Sequence, residues 1–178
     1  MPSVSIILIV SYILVFILDQ LICKHTLLER FGGKSFNNME PKEWYRLLTG
    51  SFFHENMLHL AGNVCAMYFV GIMLEHKIGS PAFLVIYLIG NVITYAIYSK
   101  FANYTQGTGA SPGIYALIAC IIMLHFDNQA FLTLHFDNWA VNYVFAYLII
   151  GNFYGMGAFI VHIIGFSLGL MTTFILLF

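Results

Sequence analysis

Along most of this chain apolar residues come in long unbroken runs rather than at every second or every third to fourth position. Six such segments can be drawn: Ser5 to Leu21, Met57 to Leu74, Pro81 to Tyr98, Ser111 to His125, Trp139 to Phe153 and Ala158 to Phe178. Runs of this length, apolar on all sides, predict helices that sit in lipid. The first is marginal in length and carries Asp19 near its end. A polar stretch from Lys24 to His54 follows it, holding Phe31-Gly32-Gly33 and an amphipathic piece from Pro41 to Phe53. Gly79 is placed to end the second helix. Ser80-Pro81 reads as the start of the third, with Ser80 as N-cap and Pro81 at the first helical position. Tyr154-Gly155-Met156-Gly157 makes a tight break before the sixth. Between the fourth and fifth segments, His125-Phe126-Asp127-Asn128 recurs as His135-Phe136-Asp137-Asn138, a spacing too short for a repeat architecture.

The fourth segment is unusual. Ser111 to His125 is 15 residues, roughly 22 Å of helix against a bilayer core about 30 Å thick. The glycine-rich run Gly107-Thr108-Gly109-Ala110 stands before it. Its first turn is therefore expected inside the membrane, with non-helical backbone at depth. Such backbone is tolerated only where it is buried in protein or lines a wet cavity, which places Ser111 at the bottom of such a cavity.

Composition agrees with lipid as the solvent. The chain of 178 residues is 60% hydrophobic and 8% charged, where a soluble domain carries about 25% charged residues. A formal net charge of −1 gives no reason to expect a nucleic-acid partner. Cys23, Cys65 and Cys120 are odd in number and lack metal spacing, so they read as small core residues. The N-terminus has neither a basic leader region nor a small-residue cleavage site, so the first segment is expected to be retained. The whole of 1–178 reads as one transmembrane domain.

Polar residues within membrane helices are functional candidates by default, and three groups stand out. His54, His59 and Asn63 open the second segment, with His59 and Asn63 four apart on one helix face. Ser111 and Tyr115 have the same spacing on the fourth. On the sixth, His162 precedes Gly165 and Gly169, whose small-xxx-small spacing lets another helix approach closely. If the fourth and sixth helices meet there, His162 reaches Ser111 as base to nucleophile. The positive end of the fourth helix would then favour an oxyanion, with His59 and Asn63 as further donors. No carboxylate lies near His162 in sequence, so a Ser–His dyad is expected rather than a triad. Taken singly, each group has a plainer reading. Ser111-Pro112 repeats the cap grammar of Ser80-Pro81, His162 and Tyr115 suit packing, and Trp44-Tyr45-Arg46 suits the headgroup zone. A zinc site fails on geometry. His54-Glu55 begins like the H-E-x-x-H motif, but His54 and His59 are five apart, about 140° from alignment on a helix.

In this order the motifs resemble those of the rhomboid family of intramembrane serine proteases, in its minimal six-helix bacterial form. Glu43-Trp44-Tyr45-Arg46 with the following Leu-Leu-Thr looks like the tryptophan–arginine motif of the first loop. His54, His59 and Asn63 match H-x4-H-x3-N. Glu75 and Gly79 match E-x3-G, and Gly109-Ala110-Ser111 matches G-x-S, with Tyr115 at the family's aromatic position. His162, Gly165 and Gly169 match H-x2-G-x3-G.

The resemblance implies an all-α membrane protein: a six-transmembrane-helix bundle with a membrane-embedded first loop and a short fourth helix starting inside the membrane. It implies Ser111 as nucleophile, His162 as general base and acid, and Tyr115 packed on the His162 ring. His59, Asn63 and the Ser111 N–H would form the oxyanion hole, and Trp44, Arg46, Glu75 and Gly79 would be structural. The substrates would be transmembrane segments of other proteins, with no cofactor and no metal, in a bacterial plasma membrane. Pro112 stands where the family usually has glycine after the serine, and Ile160 and Val161 stand where it has small residues before the histidine. Five of the seven basic residues (Lys24, Arg30, Lys34, Lys42 and Arg46) fall in the first loop. The positive-inside rule would put that loop in the cytoplasm, whereas the family places it outside, and the family orientation is the one expected. The rival from another class is a catalytically inactive rhomboid-like protein that binds membrane-protein helices. A transporter or channel would call for inverted repeats or midplane charges, and neither is found.

Overall fold

The computed structural model describes residues 3–104, 106–126 and 139–178. Asp127-Asn128 and the whole second copy of the short duplication lie outside the described residues. The chain is helical, and among the described residues the only β pairing is an isolated antiparallel bridge between Gly33 and Gly107. We number the helices α1 (Val4–Ile22), α2 (Thr26–Phe31), α3 (Arg46–Thr49), α4 (Met57–Ile78), α5 (Ser80–Phe101), α6 (Ser111–Phe126), α7 (Trp139–Ile150) and α8 (Met156–Leu177). Helices α1, α4, α5 and α8 are long and apolar enough to cross a membrane, at 19 to 22 residues each. Their outward faces are apolar as well: Ile7 and Leu14 on α1 and Phe174 and Ile175 on α8 are exposed. Long apolar helices with apolar outer faces mark an integral membrane protein.

Helix α6 is the centre. From Ala110 to Ile121 every residue is buried. A helix apolar on all sides is stable only when wrapped by others, and the wrapping depends on missing side chains. A Cβ at Gly165 of α8 would fall on the Pro112 carbonyl oxygen, and one at Gly169 on that of Ala116. From the other side, a Cβ at Gly90 of α5 would fall on the Ala116 side chain. Gly90 and the neighbouring Asn91 are consecutive and both buried, within a single π-helical turn at Ile89–Ile93. Similar π turns occur at Leu18–Ile22 and Met67–Gly71. Each adds a residue to one turn and changes which face the next turn presents.

Three element ends differ from the sequence reading. Helix α4 runs on to Ile78, so Glu75 lies within it, and Gly79 follows with φ of 82°. Ser80 is not an N-cap: it lies inside α5, its cap position is taken by Gly79, and its hydroxyl donates to Glu75 at 2.5 Å. The fifth segment stays α-helical only to Ile150 and tightens into a 3-10 turn over Gly151–Tyr154, before Gly155 at φ 112° opens α8.

The Glu75 carboxylate ties the N-terminus of α1 to α4. It accepts the N–H groups of Ser3, Val4 and Ser5 and the Ser5 hydroxyl, at 2.6 to 3.0 Å. These are the donors a helix leaves unpaired at its start, and the negative charge suits that end of the dipole.

In the stretch before α4, Arg46 is buried rather than turned to the headgroup zone. Its guanidinium donates to Glu43 at 2.6 and 2.9 Å and to the carbonyls of Gly32 and Glu29 at 2.9 and 3.1 Å. Trp44 and Tyr45 are the exposed members of that cluster, with Trp44 tilted against Phe36. The loop that Arg46 holds together lies behind the glycine-rich run. Gly33 and Gly107 exchange both backbone hydrogen bonds, at 2.8 and 2.6 Å, and Gly109 N–H donates to Gly50 at 3.3 Å.

Candidate functional site

The run before α6 needs partners for its backbone, because non-helical peptide groups away from water are costly. The first loop satisfies several of them. Tyr95 of α5 takes two more, donating its hydroxyl to the carbonyls of Thr108 and Gly109 at 2.9 and 2.8 Å. Gly109 has φ of 109°, a conformation open to glycine and strained for other residues. A Cβ there would also strike the His59 ring. Both constraints deliver Ser111 to the first position of α6 with its hydroxyl facing α8.

His162 lies one turn before the Gly165 contact, and close packing of α8 on α6 sets its ring beside that hydroxyl. His162 Nε2 is 2.9 Å from Ser111 Oγ. The Tyr115 ring, one turn along α6, stacks on the imidazole with centroids 4.1 Å apart and planes within 7°. The stack holds the ring plane, and the Tyr115 hydroxyl is anchored on the carbonyls of Tyr147 and Leu148 at 3.2 Å.

A cavity of about 420 Å³ opens over this pair. His59, Asn63, Ser111 and His162 all line it, with Tyr95, Tyr98, Tyr147 and Val161 among the walls. Asn63 donates its amide to the His59 carbonyl at 3.1 Å and accepts the Tyr147 hydroxyl at 2.8 Å. Ile160, unlike Val161, faces outward. A serine hydroxyl bonded to an imidazole nitrogen on the wall of a cleft has the geometry of a nucleophile and its base. The N-terminal end of α6 and the Asn63 amide can meet negative charge developing beside it.

The remaining residues singled out from sequence lie away from the cavity. His54 is buried behind His59, ring centroids 5.1 Å apart, and against Tyr12 at 5.5 Å. Burial first, and the His59 ring second, push His54 down to about 3 from the ordinary 6.5. Gly165 and Gly169 act at the α6–α8 contact, Glu75 and Gly79 at the far end of α4, and Trp44 and Arg46 in the first loop. Residues absent from the sequence reading also enter the site, among them Tyr95, Tyr147 and Asn152. Asn152 carried a usable signal: it is a polar side chain inside the apolar run Leu148-Ile149-Ile150-Gly151-Asn152-Phe153.

Comparison with known proteins gives a family model described as Rhomboid domain, matching residues 41–178. Among curated proteins, the chain is 34% identical over 99 residues to "Rhomboid protease GluP" of Bacillus subtilis, a match covering 56% of this chain and 19% of that one. It is 27% identical over 156 residues to "RHOMBOID-like protein 7" of Arabidopsis thaliana, covering 84% and 49%. It is 29% identical over 142 residues to "Inactive RHOMBOID-like protein 8" of the same plant, covering 75% and 40%. The chain thus spans less than half the length of these curated relatives.

Proposed function

The chain belongs to the rhomboid family, and from that premise we propose that it is an intramembrane serine endopeptidase that cleaves transmembrane segments of other membrane proteins. The observation that carries the reading is the 2.9 Å contact between His162 Nε2 and Ser111 Oγ on the wall of the cavity. In this reading residues 1–178 form one domain, the helices α1, α4, α5, α6, α7 and α8 make a six-crossing bundle, and the first loop is embedded beside the cavity mouth. The loop's positive charge is partly matched within itself, because Arg46 and Lys34 face Glu43 and Lys42 faces Glu40. The orientation with the cavity opening outward is the family's, against the count of basic residues in the loop.

Ser111 Oγ attacks the scissile carbonyl carbon while its proton passes to His162 Nε2. The C–O π pair moves onto the carbonyl oxygen, where the Ser111 N–H, His59 and Asn63 stabilise the oxyanion. Pro112 contributes no N–H there. As the tetrahedral intermediate collapses, the C–N bond breaks and the imidazolium gives its proton to the departing amine, leaving an acyl-enzyme on Ser111. Water from the cavity then repeats the two steps with His162 as base and acid. The bond cleaved lies in a stretch of small residues where the substrate helix unwinds, since a helical peptide bond is closed to attack.

A second reading, a silent relative that binds membrane helices, is supported by the likeness to a protein named inactive. The test separates the two. The purified protein is labelled with a fluorophosphonate and offered a model transmembrane substrate, beside Ser111→Ala and His162→Ala. Cleavage and labelling that both substitutions abolish are expected. Folded parent protein that neither labels nor cleaves would sink the protease reading.

A further inference from the structure

We propose that Asn152 is a positioning residue for His162: its side-chain oxygen fixes the imidazole tautomer that lets Nε2 act as base. The inference rests on the protease reading above. Asn152 Oδ1 is 3.0 Å from His162 Nδ1, on the side of the ring opposite Ser111. Which way the Asn152 amide points is settled by its other contact. Its Nδ2 lies 2.6 Å from the Leu148 carbonyl oxygen, which can only accept. Turning the amide over would set Oδ1 against that carbonyl, two lone pairs face to face. Nδ2 therefore donates to Leu148, and Oδ1, which can only accept, faces His162.

The ring has no freedom left. Nδ1 must carry the proton, so in the neutral imidazole Nε2 presents its lone pair to the Ser111 hydroxyl. The opposite tautomer would put a hydrogen on Nε2 and leave nothing to take the serine proton. An amide in this role orients the base and accepts from the imidazolium, as a carboxylate does in a triad, yet brings no buried charge into the membrane. The groups that face His162 are Ser111 and Tyr115 from α6, Asn152 from the turn after α7, and His59 across the cavity from α4.

The local backbone is shaped to make the contact. The chain leaves α7 at Ile150 and tightens over Gly151–Tyr154. At Gly151 a Cβ would meet the Tyr115 hydroxyl at 2.8 Å and His162 Cε1 at 3.6 Å. A glycine lets the turn close over the stacked rings and brings the next residue level with Nδ1. The element carrying Asn152 also carries Tyr147, which holds Asn63, so one stretch of chain touches both the base and an oxyanion donor.

The test measures cleavage of a model transmembrane substrate and the rate of fluorophosphonate labelling for the parent, Ser111→Ala, Asn152→Leu and Asn152→Asp. Activity in the parent, absent in Ser111→Ala, establishes the protease reading independently. Asn152→Leu keeps the branched shape and the number of heavy atoms and removes the acceptor. It is expected to lower kcat and the labelling rate together by about 10- to 100-fold, with KM within about twofold. Asn152→Asp restores the acceptor as an anion. It is expected to recover much of the rate and to move the acid limb of the kcat profile to higher pH, because a carboxylate favours the imidazolium. A merely structural role would lower thermal stability and leave that limb where it was. An Asn152→Leu protein with kcat within threefold of the parent, or an unmoved acid limb in a folded and active Asn152→Asp protein, would overturn the proposal.

Discussion

Tyr147 of α7 donates its hydroxyl to the side-chain oxygen of Asn63 on α4, at 2.8 Å. The His59 carbonyl, which can only accept, decides which end of the Asn63 amide is which. With the oxygen engaged by Tyr147 and one amide hydrogen on the His59 carbonyl at 3.1 Å, the second hydrogen is left to point into the cavity. Tyr147→Phe keeps the ring and removes the donor that steadies the amide oxygen. We expect kcat for a transmembrane substrate to fall about 3- to 10-fold with the fold intact, less than outright loss of an oxyanion donor costs. Substrate cleavage at saturating concentration checks it, and an unchanged kcat would remove Tyr147 from the account.

The α6–α8 contact leaves no room for a side chain on α8. Gly165→Val places carbon atoms on the Pro112 carbonyl, so the helices must part or the turn at Ser111 must shift. Overpacking of this kind costs about 1–3 kcal/mol, and thermal unfolding in detergent should show it, together with loss of probe labelling at Ser111. Gly62 is the control, since a Cβ there meets nothing within 4 Å. Gly62→Ala should be neutral to stabilising by up to about 1 kcal/mol.

His54 makes stability depend on pH. Its folded value of about 3 lies below the ordinary 6.5, so between those limits the unfolded chain binds the proton more readily. Its contribution is complete above about pH 6.5 and is lost as pH falls toward 3. His54→Phe, a ring that does not titrate, should flatten the fall of melting temperature between pH 6.5 and 4. Equal slopes for parent and variant would show that other groups set the dependence.

Glu43 acts in a lower window. The Glu40 N–H, and then the Arg46 guanidinium, hold its carboxyl at about 2 against an ordinary 4.5. The unfolded chain is protonated first, so the stabilisation is present above about pH 4.5 and disappears as pH falls through 2. Glu43→Gln should remove this component of acid sensitivity in a melting series from pH 5 to 2. It should also loosen the Arg46-centred loop, read as faster proteolysis between Phe31 and Thr49.

Several features of the molecule were legible before any coordinates, and particular residues show why. Unbroken apolar runs require helices in lipid because no other local structure pairs its own peptide groups. Gly79 ends a helix where expected, and Gly155 opens the last helix from within the expected break, each at a positive φ that other residues avoid. The shortness of the run after Ser111 set it apart from the four long apolar helices. Ser80 misled because its sequence context is that of a cap, while its real partner is Glu75, brought to it only by the turn at Gly79. A basic residue beside tryptophan and tyrosine reads by itself as a headgroup contact, and a structural role for Arg46 was implied only by the resemblance. Besides Glu43, its acceptors are the carbonyls of Glu29 and Gly32, some 15 residues back.

By itself, then, the sequence determined which stretches are apolar helices and which small residues allow close approach, because these follow from local composition and backbone chemistry. Only the tertiary structure decided how the polar side chains pair. The π turns that swing Gly90 and Asn91 together onto α6 leave no periodic mark in the chain. Asn63 meets Tyr147, and Asn152 meets His162, only through how α7 and the turn after it pack. A hydrogen bond is decided within a few tenths of an ångström, and that precision comes from packing whole helices against one another.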